Sequence, residues 1–144
     1  MELKWLTRQM ILAMHDEAVV VFGGLPGVRD LGLLDSAMDR PKTLSAYGDE
    51  PSLFDLAAAL CFGIVKNHPF LDGNKRTGIH AALDFLEING IDTDSLPEME
   101  AYDAMIQVAN HEMDRGGLAQ FFRAAHTVGI YCLVQELGLQ CLHC

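Results

Sequence analysis

Long apolar runs, a signal-peptide pattern and an excess of basic charge are all missing from this chain of 144 residues. No apolar run approaches the roughly 18–20 residues that a membrane-spanning helix needs, and the charged residues Glu2 and Lys4 come early. The 20 acidic and 10 basic side chains give a net charge of −10, which repels a nucleic-acid backbone. The densest basic spot is only Lys75 and Arg76, with Lys66 nearby. We therefore expect a soluble cytoplasmic protein with no membrane partner, and favour a protein or nucleotide substrate over DNA or RNA.

The distribution of cysteine along the chain bears on metal binding. The four cysteines are Cys61, Cys132, Cys141 and Cys144. Cys141 and Cys144 have the spacing of a zinc-ligand pair, but a zinc site normally takes four ligands from two such pairs. The chain has no second pair. We interpret Cys132, Cys141 and Cys144 as reduced thiols on a C-terminal helix.

Helical periodicity, by contrast, runs through most of the chain. The length fits one domain with a real core, and neither internal repeats nor an alternation of strands and helices is present. The predicted fold class is therefore all-α. Capping residues, glycines and prolines place the predicted helices at about 7–22, 33–40, 52–67, 74–89, 97–113, 118–126 and 128–138.

Two of these helices are predicted to form an antiparallel pair at the centre of the fold. The helix at 52–67 is apolar on nearly all sides, which is typical of a buried helix, and Ser52 with Asp55 resembles a capping box at its start. The helix at 74–89 has one apolar face. The sequence of residues 68–77, His-Pro-Phe-Leu-Asp-Gly-Asn-Lys-Arg-Thr, joins the two, and we call it the motif.

The motif begins with residues that can carry acid–base and metal chemistry. Pro69 disfavours the α region for His68, so this histidine leaves the helix and can act as a general base. The alternative is a structural histidine bonded to a helix end. Asp72 can hold Mg²⁺, which commonly takes one or two carboxylates plus phosphate oxygens, or it can simply cap the following helix.

The end of the motif is suited to an anion. Gly73 and Asn74 form a turn whose N–H groups can converge on a negative group, although a plain tight turn would use the same residues. Lys75 and Arg76 lie in the first turn of a helix, where a cation opposes the helix dipole. An anionic ligand would offset that cost, so the sequence predicts a phosphate site here.

The motif resembles the signature of the Fic/Doc superfamily, specifically its death-on-curing (Doc) branch. The resemblance covers about residues 3–125 and implies the Fic fold, a compact helical bundle with the motif loop between two central helices. We accordingly predict a Fic/Doc domain at 1–126 and a C-terminal apolar helical extension at 127–144. Other matching runs, in the family's order, are His15-Asp16, residues 23–30 and residues 34–37.

The resemblance also implies a reaction, in which part of ATP is transferred to a protein hydroxyl with Mg²⁺ as cofactor. His68 would deprotonate the acceptor Ser or Thr, and Asp72 would bind Mg²⁺. The residues implied to bind nucleotide and phosphate are Gly73, Asn74, Lys75, Arg76, His80 and Lys66.

Two departures within the superfamily favour one reaction over another. By this resemblance, Fic enzymes that transfer AMP have glycine where this chain has Lys75 and a further arginine where it has Ile79. Both differences match Doc, a toxin that resembles a kinase and phosphorylates elongation factor Tu to stop translation. The resemblance then implies an antitoxin whose C-terminal segment covers the active-site groove. The alternatives are an AMP transferase and a catalytically silent module that binds nucleotide or a partner.

Two further features complete these expectations. His15 lies among apolar neighbours on the first helix and is interpreted as a core histidine bonded to a loop rather than a catalytic partner. Residues 42–51, after Pro41, are predicted to form a polar loop or small hairpin. In the family this segment would be a flap that pairs with a target peptide as an added strand.

Overall fold

A computed structural model of the protein describes the backbone of residues 2–94 and 96–136 and the side chains as far as residue 126. The described residues form six α-helices. No strand occurs in this described part, and one antiparallel bridge joins Val28 to Phe70. The all-α prediction is confirmed. The helices are α1 (Arg8–Phe22), α2 (Leu31–Tyr47), α3 (Leu53–Asn67), α4 (Asn74–Ile88), α5 (Glu98–Ala109) and α6 (Arg115–Glu136).

The central helix is α3, which packs against α2, α4, α5 and α6. Nine of its fifteen residues are buried, as its uniformly apolar sequence predicts. The capping box is also present, because the Ser52 hydroxyl accepts from the Asp55 N–H at 3.2 Å and Asp55 Oδ2 accepts from the Ser52 N–H at 2.8 Å. Residues 68–73 form the turn between α3 and α4, and α4 packs against α3. The motif therefore lies between two central helices, as predicted.

The second helix is longer than predicted. α2 continues through Pro41 to Tyr47, and the Gly48 N–H bonds to the Leu44 carbonyl at 2.8 Å where the helix ends. Proline removes one backbone hydrogen bond from a helix interior, but here Pro41 is buried and lines a small cavity together with Trp5 and Leu60, and this burial offsets the loss. The predicted loop or hairpin is therefore wrong for residues 42–47, which are helical, and residues 48–51 lie outside the helix as predicted.

The last helix also differs from its prediction. The glycines at 116 and 117 were expected to separate helices, but α6 begins at Arg115 and runs through them without a break. Asp114 explains the difference, since its Oδ1 accepts from the Gly117 N–H at 2.7 Å and so caps the helix start. α6 also crosses the predicted boundary between 126 and 127. The end of the predicted helix at 128–138, together with Cys141 and Cys144, lies outside the described residues.

Burial and hydropathy of the described helices add two facts. Cys61 of α3 is fully buried as a free thiol, and burial raises the pKa of this thiol well above its usual range.

In the part of the chain that the structure describes, none of the helices combines the length and apolar character needed to traverse a bilayer.

Candidate active site

The motif loop is held by a distant stretch of chain, residues 23–30, which we call the strap. The Leu71 N–H bonds to the Gly27 carbonyl at 3.2 Å, and the Pro69 carbonyl accepts from the N–H groups of Arg29 at 2.7 Å and Asp30 at 3.0 Å. These bonds flank the bridge between Val28 and Phe70. The conformation of the motif is therefore fixed by tertiary pairing and not by its own turn residues alone.

His68 ends α3 and has left the helix, as expected for a residue before proline. Its backbone is in the left-handed region, with φ 55° and ψ 54°, while its N–H still bonds to the Ile64 carbonyl at 3.1 Å. The guanidinium of Arg29 donates from Nε to the His68 carbonyl at 2.7 Å and from Nη2 to the Asn67 carbonyl at 2.9 Å. The residue is exposed and lines a cavity beside the motif loop.

Asp72 is anchored through both of its carboxylate oxygens. Oδ1 accepts from the Gly73 N–H at 2.9 Å, and Oδ2 accepts from the Leu25 N–H of the strap at 3.2 Å. Gly24 packs so closely that a Cβ there would lie 2.8 Å from Oδ2. Each oxygen retains a lone pair for a further partner.

His15 supports the same loop from below. Its Nε2 lies 2.7 Å from the Asp72 carbonyl, and since a carbonyl can only accept, Nε2 carries the proton. The ring stacks on Phe70 with 3.9 Å between centroids and 8° between planes, and the residue is only 1% exposed. His15 is thus a core histidine bonded to a loop, as interpreted from sequence.

The first turn of α4 faces the same cavity. Gly73 precedes the helix with φ 77°, and the buried side chain of Asn74 accepts from the Phe70 N–H at 2.9 Å and donates to its carbonyl at 3.0 Å. Asn74 is therefore committed to the loop through its side chain, and only its backbone N–H can serve an anion. The unpaired N–H groups at a helix start favour a phosphate.

Arg76 is bracketed by two aromatic rings that sequence reasoning did not single out. Its guanidinium lies 3.6 Å from the centroid of Phe22 and 5.9 Å from that of Tyr102. Phe22 ends α1 and Tyr102 lies on α5, so no local pattern around the motif indicates them. Stacking of this kind orients a guanidinium while leaving its N–H groups free to bind a ligand.

These groups surround one cavity of about 350 Å³, the motif cavity. Six of the predicted site residues line it: His68, Asp72, Gly73, Asn74, Lys75 and Arg76. Two do not. His80 lines a second cavity of about 460 Å³ between α4 and α5, and the Lys66 ammonium contacts Nδ1 of His111.

The donor set of the motif cavity fits one kind of metal site. Among the described residues, Asp72 is the only carboxylate that lines it, and none of them forms a cluster of three or more histidine, cysteine or acidic side chains that could hold an ion alone. Mg²⁺ is commonly bound by one or two carboxylates together with substrate phosphates. The arrangement suits a magnesium ion that arrives with a nucleotide.

Comparison with known proteins identifies the family of the chain. The sequence model of the Fic/DOC family matches residues 5–86, which include the strap and the motif. The chain is 43% identical over 131 residues to "Toxin Doc" of Mycolicibacterium smegmatis, covering 86% of this chain and 98% of that protein. It is 30% identical over 121 residues to "Protein kinase doc" of Escherichia phage P1, covering 84% and 94% respectively. Since the family match spans more than half of the chain and the relatives align over most of their length, this protein belongs to the Fic/DOC family.

Proposed function

We propose that this protein is the toxin of a toxin–antitoxin pair and acts as a protein kinase, transferring the γ-phosphate of ATP to a Ser or Thr hydroxyl. The proposed target is elongation factor Tu, whose modification would block translation. The observation that carries the proposal is the motif cavity, which brings His68, Asp72 and the cationic start of α4 together. The names of the two relatives, a toxin and a protein kinase, support it.

In the proposed reaction His68 is the general base. Its exposed imidazole accepts the proton of the acceptor hydroxyl as the oxygen bonds to the γ-phosphorus, and the bond from phosphorus to the β,γ-bridging oxygen breaks to release ADP. Most of the remaining acceleration in phosphoryl transfer comes from positioning and charge stabilisation. The strap provides the positioning, because it fixes the loop on both sides of His68.

The phosphates are assigned to the start of α4. Its first-turn N–H groups, Lys75 and Arg76 would offset the charge of the transferred group, with Phe22 holding Arg76 in place. Asp72 would hold Mg²⁺, which when bound neutralises phosphate charge. Lys66 and His80 were included among the predicted phosphate residues, and their positions outside the motif cavity give them no part in this proposal.

We assign the antitoxin-binding surface to apolar side chains that flank the motif cavity. Phe22 and Tyr102 line the cavity and are 53% and 47% exposed. Contiguous exposed apolar side chains mark interaction surfaces, and a segment lying on these would also cover Arg76. Further exposed apolar side chains lie near the end of α1, at Val20, Val21 and Leu25, and on α5, at Met99 and Ile106.

The experiment that tests the function uses ATP labelled on either the γ- or the α-phosphate. The purified protein, shown by mass spectrometry to carry no bound partner, is incubated with Mg²⁺ and either a bacterial lysate or elongation factor Tu. We expect label from the γ-position only, with His68→Ala reducing transfer by about 10²–10⁴-fold because the general base is lost. Circular dichroism and nucleotide binding of the variant should match the wild type.

Each other outcome contradicts a stated part of the proposal. Label from the α-position would show AMP transfer instead of kinase activity. No label from either position would favour a silent binding module. Transfer by His68→Ala at the wild-type rate would remove His68 from the role of base.

A further inference from the structure

His68 is held in an unfavourable backbone conformation. With φ 55° it occupies the left-handed region, which a residue with a Cβ adopts only where its surroundings enforce it. Pro69, the next residue, is buried and cannot follow a helical residue easily. The local bond from the His68 N–H to the Ile64 carbonyl is compatible with this helix end, and a contact from outside the local sequence would stabilise it and, with it, the place of the imidazole.

Arg29 of the strap supplies the contacts that select it. Its Nε and Nη2 bind the carbonyls of His68 at 2.7 Å and Asn67 at 2.9 Å, and its backbone N–H binds the Pro69 carbonyl at 2.7 Å. One residue thus contacts three consecutive peptide groups around the proposed base. The last carbonyls of a helix lack partners within it, and a cation at that end is electrostatically favoured.

We propose that Arg29 is a positioning residue, which holds the backbone of His68 so that the imidazole stays in the motif cavity. This inference rests on the proposed role of His68 as base. Arg29 is not among the described residues that line the cavity, so we expect it to act through His68 and not by contact with a nucleotide. Its substitution should impair turnover without weakening ATP binding.

A guanidinium suits this position better than an ammonium. Its planar fork donates two hydrogen bonds in fixed directions, so it can bind the carbonyls of residues 67 and 68 at once. A lysine would offer a single point charge on a shorter reach. Arg29→Lys keeps the charge but should lose the paired geometry.

The fold should survive this change, because the end of α3 has other anchors. Asn67 Nδ2 donates to the Leu33 carbonyl at 2.9 Å, and Asn67 Oδ1 accepts from Arg40 Nη2 at 3.0 Å. Arg40 is therefore a matched control: it also binds residue 67, but through the side chain and without touching the carbonyls of the His68 turn.

The test compares kcat and KM for ATP in γ-label transfer by the wild type, Arg29→Lys and Arg40→Lys. We expect kcat of Arg29→Lys to fall by about 10–100-fold, the effect of a misplaced catalytic group, with KM for ATP within about twofold of the wild type. Arg40→Lys should keep a nearly normal kcat. Free guanidinium ion at non-denaturing concentration should partly restore kcat of Arg29→Ala and leave His68→Ala unchanged.

A second measurement, independent of activity, is hydrogen exchange of the peptide containing residues 67–71. We expect faster exchange in Arg29→Lys and no change in Arg40→Lys. If the wild type transfers γ-label and Arg29→Lys keeps its kcat, the inference fails while the proposed function stands. If the wild type transfers no label, the proposed function fails. The positioning role is overturned if the peptide containing residues 67–71 exchanges at the same rate in Arg29→Lys as in the wild type, whether or not label is transferred.

Discussion

At the scale of single residues, the two adjacent glycines of the strap, Gly23 and Gly24, have different surroundings. Both have positive φ, of 82° and 112°. A Cβ on Gly23 would meet nothing within 4 Å, whereas one on Gly24 would lie 2.8 Å from Asp72 Oδ2. The backbone conformation at both positions favours glycine, but only Gly24 is also required by the carboxylate.

This difference predicts the effect of alanine at each position. Gly24→Ala should displace Asp72 and raise the Mg²⁺ concentration for half-maximal transfer by about 10–100-fold, the usual effect of disturbing a group that orients a metal ligand. Gly23→Ala introduces the same kind of backbone strain without contacting Asp72, so it serves as the control. We expect its Mg²⁺ titration to be near that of the wild type. Asp72→Asn removes the proposed ligand. Identical titrations for Asp72→Asn and the wild type would contradict the metal role of Asp72, and an unchanged titration for Gly24→Ala alone would show that the carboxylate is not displaced.

At the scale of helices, α2 and α3 approach each other at one small pair of residues. A Cβ on Gly63 would lie 3.0 Å from both the Cα and the Cβ of Ala37, which is itself fully buried. These are backbone and near-backbone atoms, which cannot rotate away as the end of a long side chain can. The absence of a side chain at 63 therefore sets the distance between the two helices.

Gly63→Ala should consequently destabilise the protein. Alanine normally improves a helix interior by up to about 1 kcal/mol, but overpacking here should cost about 1–3 kcal/mol and reverse the sign. The control is Gly116→Ala in α6, where the nearest atom to an added Cβ is Asp114 Oδ1 at an ordinary 3.6 Å. Urea unfolding measures both free energies. A Gly63→Ala protein as stable as the wild type would show that α2 can shift away from α3 at little cost.

Helix boundaries show where sequence patterns fail at this scale. Pro41 and the glycines at 116 and 117 are strong helix-breaking signals, yet α2 and α6 pass through them. Burial of the proline ring and the cap provided by Asp114 outweigh the local preference. The burial of Pro41 depends on distant neighbours that the local pattern does not specify, whereas the Asp114 cap is a local signal that the two glycines obscured.

At the scale of the whole molecule, the excess of acidic charge acts on stability as well as on partner choice. Asp84 on α4 is the clearest example, since burial raises the pKa of its carboxyl, the nearby charges of Glu87 and Glu17 raise it further, and His80 lowers it in part. A carboxyl with a raised pKa in the folded state favours folding while it is protonated. Its contribution is complete below the ordinary value of 3.8 and is lost as the pH rises through the raised value.

Asp84→Asn should therefore be more stable than the wild type at pH 7, with the difference shrinking as the pH falls through the raised pKa and reaching its minimum below the ordinary value of 3.8. The effect is modest because the carboxyl is only partly buried, and added salt should reduce it further. Thermal unfolding of both proteins at pH 7 and at acidic pH measures the difference. A stability difference of equal size at both pH values would show that ionisation of Asp84 is not its cause.

Local patterns in the sequence determined the helical class, the central pair of helices and the motif turn between them, because capping residues and periodicity act over a few positions. The same local run identified His68, Asp72 and the start of α4 as candidates. Tertiary structure alone decided how those groups are held. Arg29 reaches His68 across 39 positions of sequence, and His15 reaches Asp72 across 57. Such contacts depend on how the helices pack, which no local pattern encodes, and they fix the conformation of the motif.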